Sequence, residues 1–254
     1  MPIRIPIGRR TFSPSAGFTL LTILLCVGFF FLGRWQWHRW ELRQAEWDRF
    51  AAGTERVIPL GSKALGDVPR FQRVSLVGRL DPQHQFLLDN RSHAGMPGYE
   101  VLTALRRPNG ATALVDRGWL AFRGRRDRLP QIGFESDTAV TVTGRTADLP
   151  SAGLASGRAP PGAGAPWPKV TTFPSMAQLS AAYGATLERR IVLLDAQDPH
   201  GYVRDWHPPG LEPLRNLAYA VQWWAFAAVL LVIWVVMGLR AGAAGATRAP
   251  GRQA

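Results

Sequence analysis

Histidines with neighbouring carboxylates are the residues of this sequence whose types fit acid–base chemistry. In chain order they are Asp81, His84, Asp89, His93, Asp195, Asp198, His200 and Asp205. The sequence contains no H-E-x-x-H, G-x-S-x-G or glycine-rich phosphate motif, and the spacing of His84 and His93 matches no zinc template. We therefore predict no catalytic residue and no metal site. A hydrolase is a remote alternative, which would need a cleft that joins His84 to a carboxylate and a nucleophile.

Composition argues against several other functions. Cys26 is the single cysteine, so an intramolecular disulfide, a cysteine-based zinc site and a C-x-x-C couple are excluded. The 30 basic and 18 acidic residues give a formal net charge of +12, but every basic residue except Lys63 and Lys169 is an arginine, and the arginines are scattered along the chain. This pattern indicates compositional bias more than a basic face, and we predict no nucleic-acid partner.

Two apolar runs predict transmembrane helices, at residues 17–33 and 217–239. The first carries no charge and the second has Gln222 as its one strongly polar residue, with tryptophans near one end. Their lengths suit a bilayer, and the tryptophans are typical of an interfacial belt. A cleaved signal peptide is the alternative for the first run, but no small-x-small site follows Leu32 and the polar flank continues with helical spacing.

The two spans separate tails at residues 1–16 and 240–254 from a large segment at residues 34–216. Both tails contain arginines and no acidic residue, which favours both termini inside. Arginines also follow the first span directly, so charge counting alone leaves the orientation open.

The large segment begins with a helix and continues as a β-rich domain. Residues 35–52 contain no glycine or proline and keep a helical apolar spacing, which predicts that the first span continues as an amphipathic helix. Arg107-Pro108-Asn109-Gly110 is a hairpin signal, residues 150–168 predict an irregular excursion, and Ser175 is a predicted N-cap for a helix ending at Gly184. The predicted strands are 71–80, 85–89, 99–105, 111–116, 139–145 and 191–195. We predict an α+β membrane protein in which two transmembrane helices flank one antiparallel β-rich extramembrane domain, a sheet or a small barrel.

Five segments, in order along nearly the whole chain, resemble the surfeit locus protein 1 family. They are Gly33-Arg34-Trp35-Gln36 with Arg39, Leu87-Leu88-Asp89-Asn90-Arg91 with Gly95, Gly98-Tyr99 with Val101-Leu102-Thr103, Asp116-Arg117-Gly118-Trp119, and Tyr219-Ala220-Val221-Gln222-Trp223-Trp224. That family consists of membrane-anchored factors for the assembly of cytochrome c oxidase, associated with delivery or insertion of heme a. The resemblance implies a non-enzymatic, multi-pass protein of the bacterial cell inner membrane, with a periplasmic main domain and cytoplasmic termini. It implies heme a as a transient cofactor, and the catalytic subunit of the oxidase, heme a synthase and membrane lipid as partners.

One position departs from the family pattern. Many members carry a histidine three positions before the tyrosine of the last motif, proposed to contact heme, where this chain has Asn216. An amide is a poor axial ligand for heme iron, and His38 and His207 are the nearest alternatives. The candidate cofactor-binding residues are His38, Arg39, Asn216, Tyr219, Gln222 and Trp223. The alternative interpretation is an interfacial belt that meets lipid headgroups.

The motifs of the β-rich domain supply four candidate partner-binding residues: Asn90, Arg91, Arg117 and Trp119. Each also has a structural interpretation, because Asp and Asn cap turns, Gly118 is suited to a positive φ, and Trp119 is suited to a core or rim position.

These expectations combine in a hypothesis of mechanism. The outer ends of the spans and the helix at 35–52 would form an amphipathic cleft that holds heme a or the nascent catalytic subunit, while the β-rich domain docks on the oxidase. The alternative is a scaffold that stabilises nascent oxidase subunits without contacting heme. A periplasmic membrane-anchored hydrolase is the remote alternative.

Overall fold

The structure is a computed structural model that describes residues 5–7, 10–53, 56–124, 128–134, 138–151, 159–208 and 210–247. Parts of both predicted tails (1–4, 8–9 and 248–254) and residues 152–158 of the predicted excursion lie outside the described residues. The chain divides into two compact units, a helical unit from the chain ends (Met1–Trp47 with Pro209–Ala254) and a β-rich unit (Asp48–Pro208). The elements are β1 (Ile5–Ile7), β2 (Arg10–Phe12), α1 (Ala16–Ala52), β3 (Ile58–Pro59), β4 (Arg73–His93), β5 (Met96–Arg106), β6 (Thr112–Ala121), β7 (Val140–Ala147), β8 (Lys169–Thr171), α2 (Met176–Tyr183), β9 (Leu187–Leu194) and α3 (Pro213–Thr247).

Helices α1 and α3 are both long and apolar enough to cross a membrane, as predicted. α1 continues without a break from the first apolar run to Ala52, so the predicted helical extension of the span is confirmed. α3 begins at Pro213, four residues before the predicted span; proline suits a first helical turn because its missing N–H has no intrahelical partner there.

The first tail contains structure that the sequence did not predict. β1 and β2 form a short antiparallel hairpin, and the backbone N–H of Ser13 donates to the carbonyl of Gly238 at 2.9 Å. The ring of Phe12 meets Trp234 edge to face with centroids 4.8 Å apart. Gly238 permits this approach because a Cβ there would collide with the Phe12 ring.

The β-rich unit is a mostly antiparallel mixed sheet organised around β4. Its second part pairs with β5, while Arg73–Gly78 pair with β7, so the hydrogen-bonded path β4–β5–β6–β9–β7 returns to β4. Among the described strands three pairings are parallel, namely β3 with β4, β4 with β8, and β6 with β9. The predicted β-rich domain between two apolar helices is thus confirmed, and the parallel pairs are an addition to the prediction.

Most of the predicted strands and turns are found, with one difference in connection. The segments predicted as two strands, 71–80 and 85–89, are one strand that carries a bulge between Leu80 and Gln85. Asp81-Pro82 reads as a turn in sequence, but a bulge also accepts proline because it leaves a residue outside the hydrogen-bond ladder. The predicted hairpin at Arg107–Gly110 joins β5 to β6, with Gly110 at φ 84°.

Helix α2 confirms the predicted cap. The hydroxyl of Ser175 accepts from the backbone N–H of Gln178, and the Gln178 side chain accepts in return from the Ser175 N–H, which forms a capping box. Gly184 closes the helix in the left-handed conformation at φ 84°. Leu179 on α2 is fully buried with Phe86, Leu102 and Leu114, so the helix covers an apolar cluster of the domain.

Candidate functional site

Aromatic and small side chains join α1 to α3 within the helical unit. Phe29 stacks on Trp223 with centroids 5.6 Å apart, and Trp37 lies 5.8 Å from Trp224. Gly33 lies under the indole of Trp224, where a Cβ would collide with the ring. A small residue that lets a neighbouring helix approach closely is typical of packing between membrane helices.

Two side-chain atoms near Gly33 in sequence or in space are buried without a hydrogen-bond partner among the described residues: Oε1 of Gln36 on α1 and Nε1 of Trp224 on α3. Gly33 and Gln36 are three residues apart on α1 and therefore share a face. We call Gly33, Gln36, Trp37 and Trp224 the interhelical site. An unpaired buried donor or acceptor costs about 1–3 kcal/mol, so these atoms hold bonding capacity that the folded chain leaves unused.

The predicted cofactor-binding residues lie mostly on exposed faces of the two helices. The ring of His38 is 3.5 Å from Glu41, and Arg39 stacks over Trp35 at 5.0 Å. Tyr219 is 41% exposed, Gln222 is exposed and Asn216 is half-buried. Trp223 contacts α1 through its ring, which stacks on Phe29.

Sequence reasoning missed Gln36 and Trp224 as site residues, although both belong to the motifs it used. Their signal was spacing: Gly33, Gln36 and Trp37 recur at i, i+3 and i+4, which places a glycine and an amide on one face of an apolar helix. Hydrophobic residues surround the span on all sides, so their distribution does not identify the face that meets the partner helix.

Two of the predicted partner-binding residues are covered within the β-rich unit. Arg117 is 4% exposed: its guanidinium donates to Oε1 of Gln85 at 3.2 Å and to the carbonyl of His200, and it lies over the ring of Phe134 at 4.1 Å. Trp119 is 8% exposed, with its Nε1 against Gly98. Side chains covered in this way present little surface to a partner in this conformation, because neighbouring residues already occupy their contacts.

Asn90 and Arg91 lie nearer the surface. Asn90 is exposed at φ 62°, a left-handed conformation that asparagine tolerates better than most residues. Nε of Arg91 is 3.0 Å from a carboxylate oxygen of Glu100, and its guanidinium lies over the ring of Phe173 at 5.4 Å. The exposed Asn90 therefore offers the most accessible surface of the four.

A buried acid, Asp116, lies close to Arg91 and Glu100. Asp116 is fully buried and accepts from the backbone N–H of Gly118 at 3.0 Å. Burial, and then the nearby charge of Glu100, raise the pKa of Asp116 well above its ordinary value. Burial also raises the pKa of Glu100, although Arg91 opposes it.

Two of the histidines named as acid–base candidates lie against an aspartate. Nδ1 of His84 is 2.9 Å from Oδ2 of Asp81, and Nδ1 of His200 is 2.8 Å from Oδ1 of Asp198. In the described part of the chain no serine, threonine or cysteine side chain hydrogen-bonds to either imidazole. The hydrolase alternative requires an activated hydroxyl or thiol beside such a pair, and the described residues supply none there.

The comparisons with known proteins agree with this architecture. The model of the SURF1 family matches residues 23–228, which run from within α1, through the β-rich unit, into α3. A SURF1-like protein of Dictyostelium discoideum is 29% identical over 116 residues, or 41% of this chain and 43% of the relative. The aligned part is thus less than half of that relative's length.

Two long apolar helices that flank a β-rich domain define a membrane-anchored protein with one extramembrane domain. The chain belongs to the SURF1 family. This is an assembly-factor family, generally of cytochrome c oxidase, and is not known as a family of enzymes.

Proposed function

We propose that this protein assists the assembly of cytochrome c oxidase by helping to deliver heme a to, or insert it into, the catalytic subunit. The observation that carries the proposal is the family match from residue 23 to 228, which includes the β-rich domain and most of the paired segments of both helices. The proposed setting is the bacterial inner membrane, with the domain in the periplasm, both termini in the cytoplasm, and heme a synthase as a second partner.

The interhelical site is the proposed contact with heme or with the catalytic subunit. Its apolar rings suit a macrocycle or a membrane helix, and the unpaired atoms of Gln36 and Trp224 provide one acceptor and one donor. Arg39 on the exposed side of α1 is suited to a propionate, because guanidinium groups bind carboxylates through paired hydrogen bonds. In this role the chain binds and orients the cargo.

A scaffold that stabilises the nascent catalytic subunit without contacting heme is the second candidate. Two observations favour it: Asn216 supplies an amide in place of an imidazole, and His38 lies exposed beside Glu41. Neither residue is buried as a dedicated axial ligand would be.

The test is deletion of the gene in the source organism, followed by complementation. The readouts are the reduced-minus-oxidised spectrum of membranes, oxidase activity, and the immunodetected catalytic subunit. Loss of a-type absorbance and activity with the apo-subunit retained is the result expected for heme insertion, whereas loss of the subunit itself would favour the scaffold. Unchanged spectrum and activity would overturn both.

Complementation with Gln36→Met and Trp224→Phe tests the site. Gln36→Met keeps the side-chain length and removes the amide with its unpaired Oε1, whereas Trp224→Phe removes the unpaired Nε1 together with part of the ring that packs on Gly33. The level of each variant in the membrane is therefore measured beside its activity, because the smaller ring can cost stability. We expect oxidase activity to fall. Activity equal to wild type in both variants would exclude the interhelical site from the function.

Asn216→His tests whether this position faces the heme iron. The change should then increase heme retention by the purified protein, and unchanged retention would exclude position 216 from contact with the iron.

A further inference from the structure

A cleft of about 660 Å³ opens on the β-rich unit beside the bulge of β4. Its lining includes Arg79, Asp81, Gln83 and Arg106. The bulge gives this part of β4 a defined shape, because Oδ1 of Asp81 accepts from the backbone N–H groups of Gln83 at 3.1 Å and His84 at 3.2 Å. The cleft is separate from every residue assigned above to heme or partner contact.

Two arginines stand directly opposite each other at this cleft. Arg79 of β4 and Arg106 of β5 are cross-strand partners, and both are exposed. The next pair along the ladder, Leu80 and Leu105, is fully inside the core, which fixes the two arginines on the outer face. Like charges at directly opposite positions destabilise a sheet, so the pair needs a counter-charge.

The fold supplies part of that counter-charge. Arg106 is oriented by Asp81, through Nη2, and by the hydroxyl of Tyr183, which accepts from its Nε at 3.1 Å. Burial disfavours ionisation of Asp81, but the hydrogen bonds from Arg106 and His84 outweigh it and hold the pKa of Asp81 below its ordinary value. Asp81 is therefore a carboxylate that faces one arginine.

Arg79 has no ion pair among the described residues. Arg107, the third arginine of the lining, is buried and compensated by Glu188 and by the carbonyls of Gly61 and Lys63. Among the described residues, the cleft thus carries one positive charge more than the neighbouring acids balance.

We propose that this cleft binds a phosphate-type oxyanion between the guanidinium groups of Arg79 and Arg106. A single arginine fork satisfies both oxygens of a carboxylate, whereas a tetrahedral dianion has oxygens for two forks at once. The neighbouring Gln83 provides an amide at the same wall. The phosphate belongs either to a soluble phosphorylated molecule or to a phospholipid headgroup.

The experiment is a calorimetric titration of the purified full-length protein in neutral detergent with inorganic phosphate, and then with dihexanoyl phosphatidic acid. We expect saturable binding that Arg79→Gln weakens about tenfold or more, because a hydrogen-bonded charged contact is lost. Arg189→Gln, at an exposed position of β9, removes the same charge elsewhere and should leave the affinity unchanged. Arg106→Gln should also weaken binding, and thermal unfolding of each variant separates this effect from loss of fold.

The two probes distinguish the sources. Tighter binding of the lipid than of phosphate, with the same dependence on Arg79, supports a headgroup; binding of phosphate without competition by the lipid supports a soluble ligand. Absence of saturable binding of both probes, or affinities equal in wild type and Arg79→Gln, would overturn the proposal. Acetate binding as tight as that of phosphate would also overturn it, since the site would then not select a tetrahedral dianion.

Discussion

The buried carboxyl of Asp116 makes the stability of the β-rich unit depend on pH. Its pKa is raised in the folded protein by burial and by Glu100, so the folded state binds its proton more tightly than the unfolded chain does. Folding is therefore favoured below the unfolded pKa, and this contribution is lost as the pH rises from there through the folded pKa. Asp81 acts in the opposite sense, because its lowered pKa adds stability that is lost as the pH falls through its folded value.

Asp116→Asn should separate the contribution of Asp116 to the pH dependence of stability from that of Asp81. Asparagine keeps an acceptor for the N–H of Gly118 and removes the charge, so the variant should become more stable than wild type as the pH rises. We expect the difference in Tm to widen by about 2 °C or more between about pH 5 and about pH 8, measured by tryptophan fluorescence in detergent. A constant difference across that range would show that Asp116 does not titrate there.

Gly98→Ala tests whether the glycine of the Gly98-Tyr99 motif is structural. A Cβ at this position would collide with the carbonyl of Leu120 and the indole of Trp119, so we expect a loss of about 1–3 kcal/mol in unfolding free energy. Gly133→Ala is the control, because nothing lies within 4 Å of its added Cβ and its backbone is not left-handed. Equal Tm values for the two variants would contradict the close packing of Gly98 against Leu120 and Trp119.

At the scale of elements, the close approach of α1 and α3 depends on Gly33. Gly33→Ala would overlap the ring of Trp224, whereas Gly28→Ala, on the same helix, meets nothing within 4 Å. We expect the first change to weaken the pairing of the helices by about 1–3 kcal/mol and the second to leave it unchanged.

The native thiol provides the measurement. The sulfur of Cys26 is 3.8 Å from the carbonyl of Ala227, so a cysteine introduced by Ala227→Cys should form a disulfide with it under mild oxidation. Gly33→Ala should slow this cross-linking and Gly28→Ala should not. Equal cross-linking rates in the Gly33→Ala and Gly28→Ala variants would show that the helices do not meet at Gly33.

Most helices, strands and turns were predictable from the sequence because each is determined by residues that are close together in the chain. The Ser175 cap, the Gly184 stop and the Arg107–Gly110 hairpin each rest on interactions within a few residues. The single strand β4 was missed because Asp81-Pro82 fits both a turn and a bulge. The covering of Arg117 was missed for another reason: its partners Gln85 and His200 come from distant parts of the chain.

The candidate site was predicted less well than the elements. Sequence reasoning named exposed residues of α1 and α3 such as His38 and Gln222, and it did not name as site residues Gln36 and Trp224, whose Oε1 and Nε1 atoms are buried. Which face of each helix meets the other depends on packing across about 200 intervening residues, and one sequence carries no local signal for it.

At the scale of the whole molecule, the proposed orientation places residue 92 and residue 253 on opposite sides of the membrane, because α3 lies between them. In a Cys26→Ser background we expect a membrane-impermeant maleimide to label Ser92→Cys, an exposed position of the β4 hairpin, in cells with a permeabilised outer membrane. Gln253→Cys should label after the inner membrane is lysed. Labelling of both positions in intact spheroplasts would contradict the proposed orientation.

Because β9 lies inside the sheet, the sheet cannot be completed until this strand has been synthesised. β9 is the last strand in sequence, yet it lies between β6 and β7, so both of those strands keep an open edge until Leu187–Leu194 arrive. After β9, residues up to Pro208 complete the β-rich unit, and α3 begins at Pro213. A chain truncated before β9 would retain its first membrane anchor while exposing two unpaired strand edges, the type of surface that recruits other unfinished chains.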